Sequence, residues 1–111
     1  MITSNIYSNI PEELPNELSE KIIYNKSFKL ERIISKGHST TKGQWYDQGQ
    51  DEWVILLKGS AGIAIEGEAS TVVLKPGDYI HLPAHLKHRV EWTDASTETV
   101  WLALHYEKGE S

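Results

Sequence analysis

The sequence predicts one all-β domain, a small barrel or sandwich. Three observations carry this. The chain has 111 residues, the size of one domain. From residue 27 onward, short apolar and β-branched runs recur at close, regular spacing. The intervals between them are rich in Gly, Pro and Asp, the residues that set turn geometry. A hydrophobic share of 39% is enough to build a core and argues against extended disorder.

Residues 1–26 read as an N-terminal arm packing on the barrel. Leu14, Leu18 and Ile22 fall at helical spacing, so one or two helical turns are expected over Glu12–Lys21, with an irregular arm as the alternative because Pro15 interrupts them. Phe28, Leu30, Ile33 and Ile34 belong to the first strand of the barrel, residues 27–108. A loop rich in Gly, Ser and Thr follows over 36–43, then Trp45, Tyr46 and a polar tip over 47–51.

Trp53 to Leu57 is a strong apolar run closed by Lys58-Gly59. Ala61 to Glu66 alternates, with Ile63 and Ile65 on one face, and Glu66-Gly67-Glu68 is a tight turn. Thr71 to Leu74 is β-branched and apolar. Lys75-Pro76-Gly77-Asp78 places Pro and Gly where a turn needs them, and Tyr79 to Leu82 is the next strand. His88 to Trp92 alternates, with His88, Val90 and Trp92 on one face against Arg89 and Glu91. Thr99 to Tyr106 is the last strand, and 109–111 is expected to be a disordered tail.

Two of these runs, 53–57 and 100–104, are apolar on both faces, so both faces should be covered. One face lines the barrel. The other needs the arm or a second subunit, with Trp53 and Trp101 as candidate surface for a homodimer.

Charge and composition exclude several functions. The net charge of -5, from 11 basic and 16 acidic residues, and the lack of any Lys/Arg run argue against nucleic-acid binding. The chain has no cysteine, so disulfides, zinc–thiolate sites and thiol catalysis are absent, which suits a cytoplasmic protein. Met1 to Asn9 lacks the pattern of a signal peptide, and no apolar stretch reaches the roughly 20 residues of a membrane span. There is no Gly-rich phosphate loop and no nucleophile elbow.

Two segments carry chemistry. The first is Gly43-Gln44-Trp45-Tyr46-Asp47-Gln48-Gly49-Gln50-Asp51-Glu52, followed after six intervening residues by Gly59. The second is Pro76-Gly77-Asp78-Tyr79-Ile80-His81-Leu82-Pro83-Ala84-His85-Leu86-Lys87-His88. Together they resemble the two signature motifs of the cupin superfamily, over roughly residues 28–106. The Glu52-to-Gly59 and Gly77-to-Pro83 spacings match, and His88 falls on the second motif's histidine. More closely, the chain resembles the small single-domain bacterial cupins with WYDQ…DEW and PAHxxHRVEW segments. The resemblance implies a double-stranded β-helix (jelly-roll) barrel, often dimeric, in which three His and one Glu hold a divalent iron, manganese, nickel or zinc ion. The chain departs from the pattern at the HxH pair. Its slots hold Tyr46 and Gln48, or Trp45 and Asp47, depending on the spacer.

The resemblance therefore leaves Glu52 and His88 by position, and two ligands are few for a transition metal. His85, three residues before His88, is the expected replacement ligand, with Gln48 as a weak oxygen donor. Asp47, Asp51 and His38 are further possibilities, whereas His81 and His105 are expected to lie elsewhere. Tyr46 and Trp92 are expected to form pocket wall. Three functions stay open at this point: a pocket holding a Zn, Fe, Mn or Ni ion and a small metabolite, a metal-free ligand-binding module, and a metal-free acid/base enzyme of isomerase or epimerase type with Glu52 and His88 as its pair.

Overall fold

A computed structural model of the protein describes residues 2–107. The expected tail at 109–111 lies outside them. Eight strands follow one another along the described chain: β1 (Leu18–Tyr24), β2 (Phe28–Ser35), β3 (Asp51–Lys58), β4 (Ala61–Ile65), β5 (Val72–Leu74), β6 (Tyr79–Leu82), β7 (His88–Thr93) and β8 (Thr99–Tyr106). They form two antiparallel sheets, one ordered β1-β2-β8-β3-β6 and the other β5-β4-β7. This is the expected all-β jelly roll, and strands β2 to β8 fall where the apolar runs put them.

The arm differs from its expected form. No helix forms over Glu12–Lys21. Pro11 and Pro15 remove the donors and the backbone freedom a helix there would need. Leu18–Tyr24 instead adds to the sheet as an edge strand, pairing antiparallel with β2 and bulging between Lys21 and Ile23. Its register sets Glu20 across from Arg32. The Arg32 guanidinium bonds Glu20 and also the carbonyls of Ile6, Ser8 and Asn9, so one buried arginine fastens both β1 and the arm to the outer side of β2.

The turns follow the expected chemistry. At Lys75–Asp78 the Asp78 N–H donates to Lys75 O at 2.9 Å, and Gly77 has φ of 95°, a conformation that side chains with a Cβ resist. At the 65–68 turn the Glu68 N–H donates to Ile65 O at 3.0 Å.

Between the sheets lies a core of Val54, Leu56, Ala61, Ile63, Leu74, Leu82, Trp101 and Ala103. Strand alternation explains its membership: Val54 and Leu56 face inward, while Trp53, Ile55 and Leu57 are half-buried on the opposite side of β3. Trp101 is therefore not dimer surface, because it is 4% exposed and belongs to the core. Trp53 is outside, with its ring 5.5 Å from that of Tyr79.

Candidate functional site

The core does not fill the barrel. A cavity of ≈ 190 Å³ remains, bounded on the apolar side by residues such as Ile33, Val54, Ile80, Leu82 and Val90. Its polar side is made by Gln48, Glu52, His88, His105 and Glu31, with Tyr46 and Glu17 nearer solvent.

The two motif loops are tied together to build this end. Tyr46 and His88 exchange backbone hydrogen bonds of 2.8 and 3.2 Å, and the His85 N–H donates to Gln48 O at 2.8 Å. Asp51 contributes as a fastener, its Oδ1 accepting the Ala84 N–H at 2.8 Å. These bonds bring Gln48 and Tyr46 to the start of β7, where the Tyr46 ring lies 5.6 Å from the His88 imidazole.

Glu52 is the centre of the polar cluster. Its Oε1 is 3.6 Å from His88 Nε2, and its Oε2 is 3.6 Å from His105 Nε2. The Gln48 amide donates to Oε1 at 3.1 Å, and Gln48 Oε1 in turn faces His105 Nδ1 at 3.0 Å. His105 Nε2 also lies 3.2 Å from Glu31 Oε1. The His88 Nδ1–H donates to Leu86 O at 2.9 Å. A carbonyl oxygen can only accept, so this bond fixes the proton on Nδ1 and turns Nε2 toward Glu52. Gln48 orients His105 in the same manner.

The electrostatics follow from this contact. Burial works to raise the Glu52 pKa, but its contact with His88, the nearby His105 charge and the Gln48 bond outweigh it, leaving the carboxyl below its ordinary value. Burial likewise works to lower His88, and the Glu52 contact together with the Leu86 bond outweighs it, so the imidazole holds its proton above its ordinary pKa. Each residue thus favours the charged form of the other at the cavity.

Of the expected site residues, Glu52, His88, Gln48 and Tyr46 meet at the cavity. His85 does not. Its side chain is 73% exposed and its Nδ1 pairs with Asp47 at 2.8 Å, outside the cavity lining. Its φ of 65° turns the loop there and carries the ring outward. Trp92 is not pocket wall either. Strand β7 has one extra residue opposite the Gly62–Ile63 step of β4. Glu91 and Trp92 both face outward, and Thr93 is the next residue to turn in. The Trp92 indole rests on Gly62, where any Cβ would collide with it. His38 accepts a bond from the Lys36 N–H, and His81 pairs with Tyr106 and Asp51; neither lines the cavity.

His105, Glu31 and Trp101 are cavity residues that the sequence reading did not place there. The signal was period two: Trp101, Ala103 and His105 occupy one face of β8, as Glu31 and Ile33 occupy one face of β2.

Compared with known proteins, residues 32–105 match a family model described as "Cupin domain". This chain belongs to the cupin family. A solved structure from Ralstonia eutropha JMP134, provisionally described as a mannose-6-phosphate isomerase, is 44% identical over 97% of this cupin and 100% of that chain, with a TM-score of 0.94. A cupin superfamily protein from Desulfitobacterium hafniense DCB-2 is 18% identical, with a TM-score of 0.72 over 89% of this chain and 84% of the other. A polyketide cyclase from Streptomyces resistomycificus is 19% identical, with a TM-score of 0.71 over 85% and 67%. These last two share the fold. No curated protein sequence matches.

A metal site of the kind the resemblance implies is not shown by this structure. Among the described residues, no three His, Cys, Asp or Glu side chains converge as a metal site. Glu52 holds the two imidazoles on different oxygens, Gln48 is spent bridging His105 and Glu52, and the expected ligand His85 is outside.

Proposed function

We propose that this cupin binds a small hydroxy-carbonyl metabolite and moves a proton between its adjacent carbons, with Glu52 and His88 as a metal-free base and acid. The observation that carries the reading is the pairing of Glu52 and His88, with Oε1 and Nε2 3.6 Å apart and both side chains about nine-tenths buried at the cavity. The 44% identity to a protein provisionally described as an isomerase supports the same class.

The chemistry balances within the chain. His88 gives its Nε2 proton to the carbonyl oxygen while Glu52 takes the proton from the neighbouring carbon, leaving an enediol. The second hydroxyl then returns a proton to His88, and Glu52 delivers its proton to the former carbonyl carbon. A carboxylate held at low pKa is a weak base, but its acidity depends on the imidazolium beside it. Once His88 gives up its proton, burial dominates and Glu52 becomes more basic at the moment it must act. Tyr46, half-exposed at the mouth, borders the entry.

The test is incorporation of solvent deuterium beside the carbonyl of mannose and fructose, followed by NMR. Exchange by the wild type, lowered about 100-fold or more in Glu52→Gln and in His88→Asn while the fold is kept, is expected. Equal exchange in the variants overturns the reading. Binding without exchange establishes the alternative, a ligand-binding cupin.

The outer face of β3 and β8, with Trp53, Ile55, Leu102 and Leu104 half-buried, supports a homodimer, which light scattering would test.

A further inference from the structure

The cavity wall carries a second imidazole beside a second carboxylate, and the Glu52–His88 reading uses neither. His105 Nε2 lies 3.2 Å from Glu31 Oε1 and 3.6 Å from Glu52 Oε2. Both His105 and Glu31 line the cavity, with 11% and 13% of their side chains exposed.

This imidazole is aimed as His88 is. A carboxylate can only accept, so Gln48 turns its NH2 to Glu52 and its carbonyl oxygen to His105 Nδ1. That oxygen takes the Nδ1 proton and leaves Nε2 facing the two carboxylates. A bare Nε2 would set its lone pair against groups that only accept, so this nitrogen carries a proton as well. No hydrogen bond joins it to either carboxylate. Among the described residues, the buried side-chain polar atoms that are both sealed off and unpaired are Arg89 Nε and Trp101 Nε1. His105 Nε2 and the Glu31 carboxylate are not among them, so their unused bonding capacity is open to the cavity. A hydroxyl set beside both can accept from the Nε2–H and donate to Glu31, which no other uncharged group does with one atom.

The place of that hydroxyl follows from Glu52. This one carboxylate has His88 on Oε1 and His105 on Oε2. Its two oxygens share a carbon, so the two imidazoles serve neighbouring positions of one ligand. A carbonyl oxygen at His88 therefore brings the oxygen of the adjacent carbon toward His105.

We infer that His105 and Glu31 bind the hydroxyl on the carbon next to the substrate's carbonyl, and that the cavity selects its ligand by this hydroxyl. The inference rests on the small-molecule reading above and deepens it, by giving the carbonyl to Glu52 and His88 and its neighbour to the second pair.

The experiment is an NMR titration of the full chain with mannose and with 2-deoxyglucose, which is mannose without that hydroxyl. The His88 and His105 ring signals are followed in the wild type, His105→Gln and Glu31→Gln. The wild type is expected to bind mannose at least about tenfold more tightly than 2-deoxyglucose, because the deoxy sugar leaves the second pair unmet. In both variants the ratio of the two affinities is expected to fall toward unity, with 2-deoxyglucose binding little changed. The two sugars are compared on the same variant, so a fraction that fails to fold lowers both alike and leaves the ratio. Equal affinities in the wild type, or a ratio kept in both variants, overturns the inference and leaves the Glu52–His88 reading standing. If neither sugar moves either imidazole in the wild type, the inference and the reading beneath it both fall.

Discussion

Glu52 and His105 are direct cross-strand partners in the β3–β8 register, and His105 Nε2 lies 3.6 Å from Glu52 Oε2. The pairing gives His105 two carboxylates to hold apart, since Glu31 lies 3.2 Å away on the neighbouring β2. Replacing His105 by Ala removes the group between them and also leaves Gln48 Oε1 without its partner. The expected loss is about 1–3 kcal/mol of stability, measured by urea unfolding at pH 7. His105→Gln, which restores a donor without charge, should recover part of it. Equal stability of all three proteins would remove His105 from the cluster's support.

The Glu52–His88 pair predicts a pH window. Glu52 is held below its ordinary 4.5, so its contribution is present above that pH and is lost as pH falls through the depressed value. His88 is held above its ordinary 6.5, so its contribution is complete below that pH and is lost as pH rises through the elevated value. Both contributions coexist between about pH 4.5 and 6.5. Thermal unfolding of wild type minus His88→Asn, followed against pH, should show its largest difference inside that window and decline on the alkaline side. A difference that grows above pH 8 would contradict the raised imidazole.

Much of this arrangement was legible in the residues. The apolar runs, the Lys75-Pro76-Gly77-Asp78 turn and the motif spacing placed β2 to β8, Glu52 and His88. The errors have local physical causes. Leu14, Leu18 and Ile22 keep a helical period, but hydrogen bonds to β2 outcompete it over Leu18–Tyr24. Trp92 shares parity with His88 until one inserted residue in β7 reverses its face, and a bulge leaves no mark in an alternating sequence. His85 was placed by proximity in sequence, while its left-handed backbone conformation sends it to Asp47. His105 was readable from Trp101 and Ala103, four and two positions earlier, but its carboxylate partners come from β2 and β3, brought beside it only by the sheet order.

The displaced His85 predicts a contrast. His85→Ala removes only an exposed pair with Asp47, so stability should change by no more than about 0.5 kcal/mol and ligand binding should be unaffected. His88→Ala should cost about 1–3 kcal/mol, because Glu52 is left buried without its main partner. Unfolding curves of the two variants, run with and without EDTA, test both points and the donor geometry as well. Chelator should leave the wild-type midpoint in place. A midpoint lowered by EDTA, and lowered less in His85→Ala, would return His85 to a metal site.

The last prediction concerns the outer face of the smaller sheet. Gly62 pairs with Trp92 across β4 and β7, and a Cβ at Gly62 would strike the Trp92 indole. The backbone of Gly62 is not in the left-handed region, so the obstacle is the ring alone. Gly62→Ala should therefore destabilise the fold by about 1–3 kcal/mol, by forcing the indole off the strand. Trp92→Ala opens the space, so the double variant should be no less stable than Trp92→Ala by itself, and the coupling between the positions should be near the whole single-site loss. Because Trp92 faces away from the cavity, ligand affinity should follow stability only and not change separately in Trp92→Ala. Additive losses in the double variant would show that the glycine is needed for the bulge in β7 and not for the ring that covers it.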